Sequence, residues 1–428
     1  MSLNRSQAPV ASPLKALQLP SFEVHHLDNG IPLYLLPYGK AEVLQLQWIF
    51  KAGSNFLAQP GLASYSLRNL QEGTQQRSAI EIAQELDQYG AWIGHDVGNE
   101  SVSLQLSTVS QQFPKVLDLF QEVVCKPLFP EAGFLQMKTQ SHQNLITAAQ
   151  KTSFQARRKF GHMLYGAEHP YGKHLGLEEL ADLKLENLIN YHQQYLQPGN
   201  SVLALCGQFD TAQVLALLNK GIGALPLGNA PTVTDRSAME PKNQIDTYHI
   251  ERPGPQSTIR TGHLSLGREH EDYIGMRVLM TLLGGFYGSR LMKSIREDKG
   301  YTYGVYAALA GRSKMGQIVI QTDVGNEYVK ETIKLIAEAI DGLQNAAPTP
   351  AELELVKNYM LGQSVNQRET AFQLGSILRY HIATGISFTE MDNRFEQVKA
   401  IEPLKIQELA QKWLKPEAML TVVCGGNS

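Results

Sequence analysis

The sequence predicts an α+β protein of two homologous domains, each a mostly antiparallel sheet packed with helices, facing each other across a cleft. Three observations carry that expectation. The chain of 428 residues is too long for one hydrophobic core. Runs of strand-like segments followed by runs of helix-like segments recur in the same order in both halves. The closing strands "SVLALCG" and "AMLTVVCGG" lie about 218 residues apart, which fits a duplicated domain. The join is "LPLGNAPTVTDRSAMEPKNQ", rich in Pro, Asn and Thr and suited to an exposed linker. The boundaries are therefore 20–224, a linker over 225–244, and 245–428.

The first half opens with "FEVHHLDNGIPLYLLP", in which Asp28-Asn29-Gly30 marks a tight hairpin needing φ > 0. A strand "EVLQLQWIFKAG" follows, then helical segments around 62–71 and 79–89. Alternating residues through "AWIGHDVGNESVSLQLS" predict two more strands. A long amphipathic helix covers 113–124, further helices run from 134 to 195, and "SVLALCG" closes the half. The second half repeats the order with "STIRTGHLSLG", helical "YIGMRVLMTLLGG" and "SRLMKSIREDKG", and strands "YTYGVYAALAG" and "GQIVIQTDVG". The helix "YVKETIKLIAEAIDGL" and more helices then lead to the closing strand.

A net charge of -3 gives no electrostatic reason to bind nucleic acid or an anionic membrane. The short basic run "QARRKF", 155–160, reads as a solvated helix face. Cys125, Cys206 and Cys424 form no C-x-x-C pair and sit in apolar contexts, as buried free thiols do. No segment approaches the roughly 18 apolar residues of a membrane span. The opening "MSLNRSQAPVASPLKALQLP" has no apolar signal core but resembles the flexible start of a mature exported chain. The expected location is periplasmic if a signal peptide has been removed, and otherwise cytoplasmic.

The stretch "GLASYSLRNLQEGT", 61–74, has the frame of a helix that carries an active site, with leucines and an arginine at the chemical positions. Together with "YGAEHPYGKHLG" (165–176), "YHQQYLQPGNSVLALCGQFD" and "GSRLMKSIREDKGYTYGVYA", it resembles the pitrilysin-type (inverzincin) metallopeptidases. That family includes mitochondrial processing peptidase and insulin-degrading enzyme, and the likeness runs from about Phe22 to the C-terminus. The family motif H-x-x-E-H sets two zinc-binding histidines one helical turn apart beside a glutamate general base, and a glutamate on a later helix completes the site. The corresponding positions here are Ser64, Leu67 and Arg68. Serine is a poor zinc ligand, leucine cannot move a proton, and a permanent cation repels the metal. No acidic residue occurs between Glu131 and Glu168, where the resemblance would place the third ligand. No metal is expected in this chain.

Other histidines are weaker candidates. His162, His169 and His174 crowd one loop without the i, i+4 spacing of a helical metal pair. His25 and His26 point to opposite faces of a strand and cannot chelate together. The resemblance puts His95 on the strand that runs beside bound substrate.

In the second half the resemblance implies that "REDKGYTY" supplies Arg296 and Tyr303 to an active site across the cleft. Such an arginine holds a substrate carbonyl or carboxylate, and such a tyrosine donates to a developing oxyanion. The competing expectation is an arginine capping a helix and a tyrosine packed in the sheet. The combined implication is a noncatalytic subunit that contributes Arg296 and Tyr303 to a homologous zinc-bearing partner acting on peptides, with the zinc in the partner. The alternative is a peptide-binding or scaffold protein of the same fold, inactive alone as well.

Overall fold

The computed structural model describes residues 18–426 except 230, 232, 233, 242 and 314. The opening segment through residue 17, expected to be a flexible start, lies outside the described residues.

The first half contributes β1 (Glu23–His26), β2 (Pro32–Pro37), β3 (Val43–Phe50), α1 (Leu62–Asn69), α2 (Ala79–Gln88), β4 (Trp92–Val97) and β5 (Val102–Val109). It continues with α3 (Phe113–Cys125), α4 (Glu131–Ala149), α5 (Thr152–Tyr165), α6 (Leu177–Ala181), α7 (Leu185–Tyr195), β6 (Ser201–Gly207) and α8 (Thr211–Lys220). The second contains β7 (Thr247–Glu251), β8 (Gln256–Leu266), α9 (Tyr273–Met280), β9 (Val305–Gly311), β10 (Met315–Gly325) and α10 (Val329–Asn345). It ends with α11 (Pro350–Asn366), α12 (Ala371–Thr384), α13 (Phe388–Ala400), α14 (Pro403–Trp413) and β11 (Leu420–Gly425).

The sheets have orders β1-β2-β6-β3-β5-β4 and β7-β11-β8-β10-β9. Apart from the extra edge strand β1, the second order repeats the first strand for strand. Each sheet contains one parallel pair, β2 with β6 and β7 with β11, and is otherwise antiparallel. The hairpin forms where the sequence places it, with Gly30 at φ +89. Local signals also set the helix ends: Ser78 and Glu81 form a reciprocal capping box on α2, and Gly385 at φ +74 terminates α12. One side of the first sheet carries the main core, in which Val116, Phe120 and Val123 of α3 bury against strand residues such as Leu104 and Trp48.

The opposite side holds a feature that the linear order hides: the halves exchange helices. Helix α5, from the first half, packs on β8 and β11 of the second sheet. Its Ala156, Phe160 and Leu164 bury against Val319, Leu420 and Val422. Helix α12, from the second half, lies on β3 and β6 of the first sheet, where Leu374 and Leu378 meet Leu36, Ile49, Ala204 and Cys206. Gly375 permits the close approach, since a Cβ there would stand 3.0 Å from the side-chain ends of both Gln45 and Gln47. The expectation that 155–160 is a solvated face is thus corrected: Arg157 is exposed, but Ala156 and Phe160 are buried between the halves. Ion pairs also cross the join, Arg379 to Asp96 at 2.7 Å and Arg268 to Glu100 at 2.5 Å. Cys206 and Cys424 are buried and Cys125 half-buried, all three as free thiols.

Candidate functional site

Helix α1 begins at Gly61, whose φ of +83 and contact with Leu175 leave room only for glycine without strain. Past its end, the hydroxyl of Thr74 and the guanidinium of Arg77 both donate to Glu122 on α3, which is nearly buried. Arg77 also reaches Glu85 at 2.8 Å. The frame of the motif is therefore firmly held.

Its chemical positions do not fit a metal. Leu67 is wholly buried among the core side chains of the first half. Ser64 and Arg68 are half-buried, and the guanidinium of Arg68 lies 5.7 Å from the ring centre of Tyr65. The structure brings Arg68 near His95 on edge strand β4: burial, and then the Arg68 charge, hold that imidazole below its ordinary pKa. The permanent Arg68 charge beside that imidazole opposes a divalent ion there.

The three crowded histidines do not share one loop: His162 lies on α5, and only His169 and His174 stand in the connection to α6. His162 is exposed, while His169 is buried with its ring centre 5.3 Å from Tyr165 and 4.8 Å from Tyr171. His174 is pushed down to about 4, first by burial and then by Arg157, Arg158, Arg260 and Arg312. Four surrounding guanidiniums oppose a cation there. His25 contacts Glu23 at 2.9 Å, with His26 exposed. Among the described residues no group of three His, Cys, Asp or Glu side chains could hold a metal ion.

The second half is arranged differently. Arg296 and Tyr303 line one open pocket of about 450 Å³, together with Tyr287, Tyr306, Gln321 and Asp323. Tyr303 is 89% exposed, so it is not a residue packed in the sheet. Its backbone is nevertheless fixed: Thr322 donates to the Thr302 hydroxyl at 2.9 Å, and that oxygen accepts from the Gly304 amide at 3.0 Å. Gly300 turns the chain at φ +68, and its amide donates to the Arg296 carbonyl at 3.0 Å. The Arg296 guanidinium sits 5.1 Å from the Tyr287 ring centre and forms no ion pair among the described residues. Two directed donor groups thus face one open pocket, Arg296 from the last turn of the helical segment Met292–Glu297 and Tyr303 from the braced loop after it.

Gln321 and Asp323 were not singled out from the sequence. Their i, i+2 spacing on a predicted strand was the available signal, since it places both on one face. None of Ser64, Leu67, Arg68 and His95 lines the pocket of Arg296 and Tyr303.

A duplicated peptidase-like fold, with the metal positions of its first half filled by residues that cannot bind one, defines the class as an inactive metallopeptidase homologue. Residues 46–175 match the family model of insulinase (peptidase family M16), and residues 182–360 match that of the peptidase M16 inactive domain. The chain belongs to this peptidase family. The non-peptidase homolog YmxG of Helicobacter pylori is 24% identical over 317 residues, covering 73% of this chain and 72% of that one. Among solved structures, the peptidase M16 inactive domain from Pseudomonas fluorescens superimposes with a TM-score of 0.85 at 24% identity, over 95% of this chain and 98% of that one. A protease from Helicobacter pylori gives 0.86 at 17% identity, over 95% and 100%. Among the described residues no helix is long and apolar enough to cross a membrane.

Proposed function

We propose that this chain is the noncatalytic subunit of a heterodimeric zinc peptidase, lending Arg296 and Tyr303 to the active site of a homologous zinc-bearing partner. One observation carries the reading: the Tyr303 side chain is 89% exposed on a braced loop, in a pocket shared with Arg296. An exposed tyrosine held this way has no packing role, and its hydroxyl is free to donate outward. In the assembled site the hydroxyl donates to the oxygen that gains charge when the peptide carbonyl is attacked. The Arg296 fork orients a neighbouring carbonyl or carboxylate of the substrate. Metal chemistry comes from the partner, because Leu67 and Arg68 exclude it here.

The test is to express the chain with a homologue that retains H-x-x-E-H, then to measure steady-state cleavage of an unfolded peptide. The chain alone is expected to cleave nothing and the pair to be active. Tyr303→Phe should lower kcat about a hundredfold, the usual cost of one oxyanion donor. Gel filtration should show unchanged assembly. A wild-type kcat in the assembled Tyr303→Phe pair would remove the tyrosine from the chemistry and leave the scaffold reading in front.

A further inference from the structure

The second half holds a larger cavity that the Arg296 pocket does not use. It has a volume of about 750 Å³ and lies between α9, α11, α12 and α13. Its lining includes three arginines, Arg277, Arg368 and Arg394, and no carboxylate. Two of these charges are already answered from outside the cavity. Arg368 donates to Asp392 at 2.7 Å and Arg394 to Glu390 at 2.6 Å. Arg277, exposed on α9, forms no ion pair among the described residues. Burial raises the Tyr273 hydroxyl's pKa, and the charges of Arg277, Arg394 and Arg268 then pull it down. Arg277 follows Tyr273 by one turn of α9, and the Arg394 guanidinium lies 5.6 Å from the Tyr273 ring centre. The cavity therefore carries one uncompensated positive charge at a place where two guanidiniums converge.

The remaining wall is of two kinds. Ile274, Phe395 and Val398 give it an apolar side. Gln363, Gln367 and Ser364 give it amide and hydroxyl groups able both to donate and to accept. An anion with an apolar body fits the first, and a backbone with its own amides fits the second. We propose that this cavity binds the C-terminal end of a peptide, with the terminal carboxylate on Arg277 and an apolar last side chain against the apolar wall. An acyl carboxylate shares the charge and the apolar body but makes no use of the amide groups of Gln363 and Gln367. The chain's own leading segment is the wrong occupant although Leu19 borders the cavity, because residues 1–17 carry Arg5 and Lys15 and no acidic residue. The proposal stands apart from the role of Arg296 and Tyr303.

The experiment is fluorescence anisotropy on the whole chain with fluorescein-Gly-Ser-Ala-Leu-Phe as the free acid and as its C-terminal amide. The free acid should bind, and the amide should bind at least about tenfold more weakly. Arg277→Ala should cost about ten- to a hundredfold in affinity for the acid, and Arg277→Lys should recover part of it. Arg277 is exposed, so an unchanged melting temperature of both variants separates the effect from misfolding. Equal binding of acid and amide, indifference to Arg277→Ala, or no binding would each overturn the proposal. Decanoate displacing the peptide and binding more tightly than it would assign the cavity to fatty acids and overturn it as well.

Discussion

Leu378 tests whether the exchanged helix α12 joins the halves into one cooperative unit. It belongs to the second half by sequence, yet it is wholly buried in a cluster with Leu36, Ile49, Ala204 and Cys206 of the first sheet. Leu378→Ala removes those contacts and leaves a cavity between the helix and the sheet, which places the cost at about 3 kcal/mol. If both halves melt together, an unfolding entropy of about 2.1 cal/mol/K per residue converts that into a drop of about 3–4 °C. If the first half melted alone, the same cost would give about 7 °C. Trp48, wholly buried in the first half, is the reporter once Trp92→Phe and Trp413→Phe silence the other two tryptophans. Its fluorescence and the far-UV circular dichroism should shift together by the smaller amount. Leu404→Ala on α14, at a 66% exposed position, should move neither. A Trp48 midpoint that stays put while the circular dichroism midpoint falls would refute the coupling.

Acid should weaken the fold through His174: its pKa lies at about 4 against an ordinary 6.5, so the folded state favours the neutral imidazole. That contribution, at most ~3 kcal/mol, is complete above pH 6.5 and is lost as pH falls toward 4. His174→Gln should flatten this part of a urea-midpoint-versus-pH curve, and an unchanged slope would count against the burial argument. Burial pushes the Cys125 and Cys206 thiols up to about 12, and these should stay inert to a disulfide reagent at pH 8 until the protein is unfolded. Rapid labelling of the native chain at either would contradict their placement. Glu122→Ala strips the partner from Arg77 and Thr74 and should cost about 3 kcal/mol in denaturant unfolding. Arg77→Ala should cost a similar amount, and the double variant less than the sum, because both break one network.

Much of this architecture was legible in the sequence because it rests on local chemistry. Gly30 and the capping residues Ser78 and Glu81 act within a few positions of themselves, and so do the periodic apolar positions of α3. The chemical mismatch of the motif positions was legible for a similar reason: leucine has no donor atom wherever the chain places it, and the arginine charge is permanent. The helix exchange was not. A helix with Ala156, Phe160 and Leu164 on one side declares that this side is buried, but nothing in it says against which sheet. Gln45 and Gln47 alternate with Leu44 and Leu46 as if their face were wet, yet they lie under Gly375 and bond to each other at 2.8 Å. The exposure of Tyr303 depended on the turn around Thr302, which residue types alone do not define.

The helix exchange also sets a timetable for synthesis. The strands of the first sheet are complete once Gly207 has emerged, but the helix that covers one of its faces is encoded at Ala371–Thr384. At ribosomal speeds that interval lasts on the order of ten seconds. Throughout it Leu36, Ile49, Ala204 and Cys206 stand open on a formed or forming sheet, an apolar surface that a chaperone can hold and a second nascent chain can capture. Helix α5 has the opposite problem, being made before the sheet it rests on. A fragment ending in the linker would lack the cover of α12 and carry that apolar sheet face exposed in solution.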